Sequence, residues 1–300
     1  MMRHLFILCF SLLLIVFLLG CAGEKISTKG GGPYKLEVQL PKGTLYSNTE
    51  LEFSFNVKAA WSNKTIENIR RAHESLFHIF VTSKDFNEFS HLHVDGLSET
   101  EGELVYFFKH KFKRAGGHQI AIEFVHNGQV WNRFFEINIA DKKKVDRKEE
   151  FISPENFSVT LYKQGKVYVG DLSHFELEIN KNNRPVRNLE LFLGAELHGV
   201  IWKSDWTDFG HLHSFTPKMK AIFDEISSRQ KQNAPNLKQL QTALVELICE
   251  KTELVFEGPK IPFKYVFKKA GTYYAFVQVA PNGVPKTFRL IIEVVDRSLG

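Results

Sequence analysis

Two sets of histidines carry the most distinctive chemistry in this chain. His78, Asp85, Phe89, His91 and His93 recur as His198, Asp205, Phe209, His211 and His213, each at an offset of 120 positions. The stretches read HIFVTSKDFNEFSHLH and HGVIWKSDWTDFGHLH. Within His91-Leu92-His93 and His211-Leu212-His213 the histidines are two residues apart. On a β-strand that spacing sends both imidazoles to one face and the leucine to the other. His78 and His198 each open an apolar stretch, which can pair with the HLH segment through a short turn and bring a third imidazole. Three neutral imidazoles suit Cu(II), Zn(II) or Ni(II), with an open fourth position for water or an outside ligand. This reading expects one histidine site per domain: His78, His91 and His93, then His198, His211 and His213. Binding should weaken below about pH 6.5, where an unperturbed imidazole protonates.

The same pattern has a structural explanation. Buried histidines can hydrogen-bond strand backbone and lock a loop, with Asp85 and Asp205 as loop or outer-layer residues that cap the turn. Phe89 and Phe209 would then plug the core. His73, His110, His118, His126 and His174 have no histidine counterpart in the other copy and read as surface or satisfied-core residues.

The elements that must position these groups are repeated too. Phe108, Lys109, Phe112, Lys113, Ala115, Gly116, Asn127 and Gly128 match Phe263, Lys264, Phe267, Lys268, Ala270, Gly271, Asn282 and Gly283 at an offset of 155. The second copy thus carries an insertion, and the chain reads as two related domains. Period-2 alternation in Tyr34–Leu40, Leu51–Val57, Gln119–Phe124 and Phe134–Ile139 predicts antiparallel strands with one buried face. Asn127-Gly128 and Asn282-Gly283 are hairpin-turn dipeptides. The expected fold is all-β: two tandem Ig-like or cupredoxin-like β-sandwiches, residues 34–140 and 151–296, the second with an inserted α-helical hairpin at about 217–251. Met219, Ile222, Phe223 and Ile226 give the first helix a 3-4 spacing, as do Leu237, Leu240, Leu244 and Ile248 the second. Asn236 and Gln239 suggest a capping box. Residues 141–150, DKKKVDRKEE, read as a charged solvent-exposed linker.

Residues 1–20 read as an export signal: Arg3, then an apolar run from Leu5 to Leu19, too short for a comfortable membrane span. The run ends Leu18-Leu19-Gly20-Cys21, which resembles a bacterial lipobox. That resemblance implies a lipidated Cys21 at the mature N-terminus. Ala22, rather than aspartate, then implies outer-membrane sorting in an enteric-like envelope. Residues 21–33 would be a flexible tether. With Cys9 in the signal and Cys21 lipidated, Cys249 has no disulfide partner.

Several functions fit the residues poorly. The formal charge of +5 is spread among mixed signs, so no basic stripe marks a nucleic-acid surface. An electron-transfer copper centre needs a thiolate beside its histidines, and the first domain has no cysteine. Met219 alone, outside the signal, excludes a methionine-rich Cu(I) site. His73-Glu74-Ser-Leu-Phe-His78 misses the zinc-protease spacing by one residue, and no nucleophile elbow, P-loop or dinucleotide fingerprint appears. The expectation is therefore a protein that is not an enzyme.

The histidine pattern, followed by F-K-x-A-G and a terminal strand pair, resembles a group of bacterial exported domains built around an HLHP motif. They are Ig-like or cupredoxin-like and associated with copper or heavy-metal handling. The resemblance covers most of both domains and implies metal roles for His78, His91, His93, His198, His211 and His213, with Asp85 and Asp205 in the accompanying loops. The chain departs from it in having Val94 and Ser214 where the proline is usual. The partners expected are a membrane, through lipidated Cys21, and a metal ion, Cu(II) or Zn(II). The alternative is a non-catalytic interaction lipoprotein with Trp61, Trp131, Trp202 and Trp206 as candidate contacts to another envelope protein, although Trp202 and Trp206, which replace Thr82 and Phe86 of the first copy, read better as core residues.

Overall fold

The computed structural model describes residues 24–297, except 101, 143–149, 232–241, 244, 248 and 250–252. The first half contains β1 (Lys25–Ser27), β2 (Tyr34–Gln39), β3 (Glu50–Ala59), β4 (Phe77–Ser83), β5 (Phe89–Val94), β6 (Leu97–Thr100), β7 (Glu103–Lys111), β8 (Gly116–His126) and β9 (Gln129–Ile139). Two sheets form from them, ordered β1-β2-β3-β7-β6 and β5-β4-β8-β9. The second half contains β10 (Phe157–Lys163), β11 (Val167–Tyr168), β12 (Leu172–Lys181), β13 (Arg184–Pro185), β14 (Leu189–Glu190), β15 (His198–Lys203) and β16 (Phe209–His213). Helix α1 (Pro217–Lys231) follows, then β17 (Lys260–Val266), β18 (Gly271–Pro281) and β19 (Lys286–Val295). One sheet joins β10, β12, β13 and β17; the other runs β11-β19-β18-β15-β16, with β14 on β18.

The architecture is all-β, as the alternation predicts. Leu36, Val38, Phe53 and Phe55 of one sheet meet Phe77, Ile79, Val81, Ile120 and Ile122 of the other to make the first core. The second core repeats the scheme with Phe175, Leu177, Ile179, Ile261 and Phe263 against Ile201, Ala275, Val277 and Val279. Asn127-Gly128 and Asn282-Gly283 both have positive φ at the two positions, as a two-residue hairpin turn requires.

Those inner faces use every second residue, and the outer faces of β4 and β15 are buried as well. The β5-β4-β8-β9 sheet packs against its counterpart in the second half. Phe80, Phe86, Ala121, Val200, Trp202 and Phe276 form a third apolar cluster between them. Phe89 stacks on Phe276 at 4.5 Å between ring centroids, and Phe86 on Tyr274 at 4.2 Å. Trp202 Nε1 donates to Gln119 Oε1 at 2.9 Å across the same boundary. The four sheets are therefore stacked as layers, with the two repeat units face to face. Trp202 belongs to this layer, whereas Trp61 is 76% exposed.

One expectation needs amendment. The tether predicted through residue 33 is partly strand: β1 pairs with β2, and Lys29 bridges Phe134. Backbone pairing outcompetes the flexibility that Gly30-Gly31-Gly32 suggested. Of the helical hairpin, α1 is present and residues 242–243, 245–247 and 249 are helical, while the proposed cap at Asn236 lies outside the described residues. So do the signal segment, Cys21 and most of the linker.

Candidate metal centre

Strand register places the imidazoles. On the outer face of the first unit, His78 of β4 stands opposite His93 of β5 and opposite Glu123 of β8. On the second unit, His198 stands opposite His213 and Gln278. His91 and His211 sit two residues before the HLH end, on the same faces. Leu92 and Leu212 point the other way, into the two cores. Because the two faces are in contact, both histidine sets fill one space between the units.

The expected pair of separate sites, one per domain, is thus replaced by one shared cluster. Three groups have ligand nitrogens within 4.8 Å of one another: His78, His91 and His93; His73, His198 and His213; and His78, His198 and His211. His198, His211 and His213 do not form such a group by themselves. His73 supplies a seventh imidazole, its ring centroid 4.0 Å from that of His213 and 5.2 Å from that of His198. It arrives on a turn, with φ of 44°. The matching turn of the other unit crosses it closely: a Cβ on Gly194 would lie 3.2 Å from His73 Cα. The expectation that His73 is a surface or satisfied-core residue is corrected on both counts. It is 5% exposed, and neither ring nitrogen has a partner.

The cluster has reciprocal outer contacts. His211 Nδ1 lies 2.6 Å from Glu123 Oε1, and His91 Nδ1 lies 3.1 Å from Gln278 Oε1. Glu123 and Gln278 occupy matching positions at the 155 offset. Each half therefore braces the other half's histidine, as in a two-fold symmetric interface. A carboxylate or amide oxygen accepts from Nδ1, which turns Nε2 of the same ring towards the cluster without a proton, the arrangement that prepares a metal ligand. Asp85 and Asp205 take no part: Asp85 accepts from Ser83 Oγ and the Asn87 amide. Asp205 accepts from the Thr207 amide and hydroxyl. They cap the β4–β5 and β15–β16 turns, at the far ends of strands that carry the histidines.

Most of these rings lack a satisfying partner. Among the described residues, Nε2 of His93, His198, His211 and His213, together with both nitrogens of His73, are buried with no hydrogen-bond partner. His78 and His91 show the same shortage differently. His78 Nε2 lies 2.9 Å from the Ala72 carbonyl, which can only accept, so that nitrogen carries the proton and Nδ1 is bare. His91 Nδ1 donates to Gln278 Oε1, because Gln278 Nε2 donates to Thr287; its Nε2 is bare too. These two bare nitrogens face each other at 3.2 Å, a contact that a bound cation would make favourable.

Protonation does not relieve the shortage at His73, His78, His91, His93, His198 or His213 at neutral pH. Burial, followed by the neighbouring His211, lowers His78 from 6.5 to about 4. Burial and His78 lower His93 to about 3. His73, His91, His198 and His213 are driven well below 6.5, first by burial and then by the surrounding imidazoles. Glu123 is opposed by burial, yet His211 outweighs it and holds the carboxyl below its ordinary value. Desolvation disfavours the imidazolium, so these rings stay neutral at pH values where an unperturbed histidine is charged.

Two cavities reach the cluster from solvent. One, of about 250 Å³, is bounded by His73, His213, Thr216, Met219 and Val255. The other, of about 390 Å³, is bounded by His73, Glu123, His211, His213, Phe223 and Tyr265. Helix α1 borders both, so the insertion of the second unit lies over the histidines.

The model of the family described as "Domain of unknown function (DUF8832)" matches residues 31–141 and 152–296. The chain belongs to this family. No curated protein matches it. Among solved structures, a copper-bound variant of FetP from uropathogenic Escherichia coli is 10% identical, covering 39% of this chain and 95% of its own, at a TM-score of 0.29. Copper-reconstituted P19 from Campylobacter jejuni is 7% identical, covering 41% and 100%, at 0.29. The Escherichia coli adhesin FdeC is 9% identical, covering 87% and 64%, at 0.24. Among the described residues of this DUF8832 chain, no helix is long and apolar enough to cross a membrane.

Proposed function

We propose that this chain is a lipid-anchored protein of the bacterial envelope that binds a transition metal, copper or zinc, in the histidine cluster between its two sandwiches. The role is binding or buffering rather than catalysis. The observation that carries this reading is the set of buried imidazole nitrogens without partners. A histidine cluster kept for folding alone would satisfy its buried polar atoms, since each unsatisfied one costs about 1–3 kcal/mol. Three nitrogens no more than 4.8 Å apart share a centre within about 2.8 Å of each, close to the ~2 Å metal–nitrogen bond. Imidazoles in this number, with Glu123 the carboxylate hydrogen-bonded to the cluster, suit Cu and Zn better than the oxygen-seeking Mg or Ca. The cavities beside His73 and His213 supply an entry path.

One specific observation favours the structural alternative at two positions. His78 and His198 both hydrogen-bond turn carbonyls, those of Ala72 and Phe192, and so help hold the turns that precede β4 and β15. Each still offers its other nitrogen to the cluster.

The test is calorimetric titration of the metal-free full chain in detergent with Cu(II) and Zn(II). The comparison is a variant carrying His91→Ala, His93→Ala, His211→Ala and His213→Ala, with folding checked by circular dichroism. Sub-micromolar binding by the native chain alone is expected; absence of binding by the native chain sinks the proposal. Anchoring through Cys21 predicts that Cys21→Ser abolishes labelling by radioactive palmitate. Retained labelling would refute it.

A further inference from the structure

We infer that the cluster is a dinuclear centre that holds two metal ions at once, an inference that rests on the metal-binding reading above. The argument is a count of nitrogens. Seven imidazoles meet in this space, and each presents at least one nitrogen that no hydrogen bond satisfies: His73, and Nε2 of His93, His198, His211 and His213, by lacking a partner, His78 and His91 by facing each other bare. A tetrahedral ion uses at most four. One ion therefore leaves three buried imidazoles unsatisfied, while two ions can take all seven.

The geometry divides the ligands without overlap. His78, His91 and His93, all from the first unit, form one trio. His73, His198 and His213 form the other, and no residue is common to both. His211 approaches His78 and His198 together, so it lies between the trios and completes the coordination of one ion. Rings of opposite trios stand 5.0 Å apart for His91 and His198, and 6.0 Å for His78 and His198. The two trios thus face one another in one chamber, and the two ions they would hold are neighbours.

His73 makes the second site possible. Its counterpart in the other unit is Leu193, which has the same left-handed backbone, with φ of 52° against 44°. Leucine therefore already occupies this turn conformation elsewhere in the chain. The His73→Leu variant removes one ligand without forcing the backbone.

The experiment loads the full chain with excess Zn(II) or Cu(II) in separate samples, removes free ion, and counts bound ions by native mass spectrometry. Two ions per native chain are expected, and one per chain for His73→Leu. His93→Asn, which removes a ligand of the first trio, is expected to retain one as well and covers the case in which the His73 variant misfolds. In the doubly Cu(II)-loaded chain, spin coupling should reduce the paramagnetic signal below two spins per protein. One ion in the native chain, or two in both variants, overturns the dinuclear assignment while leaving metal binding intact. A native chain that holds none overturns both.

Discussion

Acidification of the metal-free protein gives the most direct test of how the cluster is built. Unfolded imidazole protonates near 6.5, whereas His78 in the fold resists protonation down to about 4 and His93 down to about 3. Below pH 6.5 the unfolded chain binds these protons and the folded chain does not, so stability must fall as pH falls. The contribution of the neutral rings is fully present above 6.5 and is lost progressively as pH drops towards 4. At pH 5.0 each such ring has cost about 2 kcal/mol, from 1.36 kcal/mol for each pH unit. His78 and His93 together give about 4 kcal/mol, a large share of a typical stability of about 5–15 kcal/mol. The other lowered histidines, His73, His91, His198 and His213, act in the same direction. Urea unfolding at pH 7.5, 6.5, 5.5 and 5.0, with a chelator present, should show a free energy that falls below pH 6.5 and steepens towards the slope of two protons or more, about 3 kcal/mol for each pH unit, by pH 5. A His93→Asn variant should have a slope shallower by about one proton. Stability that is flat between pH 6.5 and 5.0 would refute the claim that these rings are buried and neutral.

Two further outcomes follow from single contacts. Glu123→Gln should fold normally, since Gln278 fills the matching position, but should weaken metal binding about tenfold or more by removing the charge behind His211; competition with a chromophoric chelator reads this, and unchanged affinity would contradict it. Trp202→Phe removes the indole donor that satisfies Gln119 across the sandwich boundary, and should lower stability by about 2 kcal/mol, seen as a drop in melting temperature of about 4–8 °C for a chain of this size.

Much of the fold could be read from the residues. Alternation in Leu51–Val57 and the Asn-Gly turns marked strands and hairpins because they need only local physics. The HLH spacing likewise placed two imidazoles on one face and Leu92 and Leu212 in the cores. The partner of that face could not be read. HIFV in β4 is apolar on both faces, which signals burial on both sides but does not say against what. Treating each repeat as a self-contained site followed from that silence. Glu123 and Gln278 left a usable trace: each is a polar residue interrupting an apolar strand, AIEFV and FVQVA, at matching positions. His73 left none, because the repeat pairs it with Leu193 and its place in the cluster depends on a turn crossing from the other unit.

The reciprocal bracing of His91 by Gln278 and of His211 by Glu123 has a consequence for heredity. Were this interface formed by two identical subunits, every substitution in one gene would appear on both sides of the axis. A histidine added at one turn would be added at two, and a carboxylate exchanged for an amide would be exchanged twice. Joining both units in one chain removes that constraint. His73 where the other unit has Leu193, Glu123 where it has Gln278, and a helical insertion on one side only are differences that a homodimer cannot encode. They make the two halves of the chamber chemically distinguishable, so a bound ion would meet unlike neighbours on its two sides.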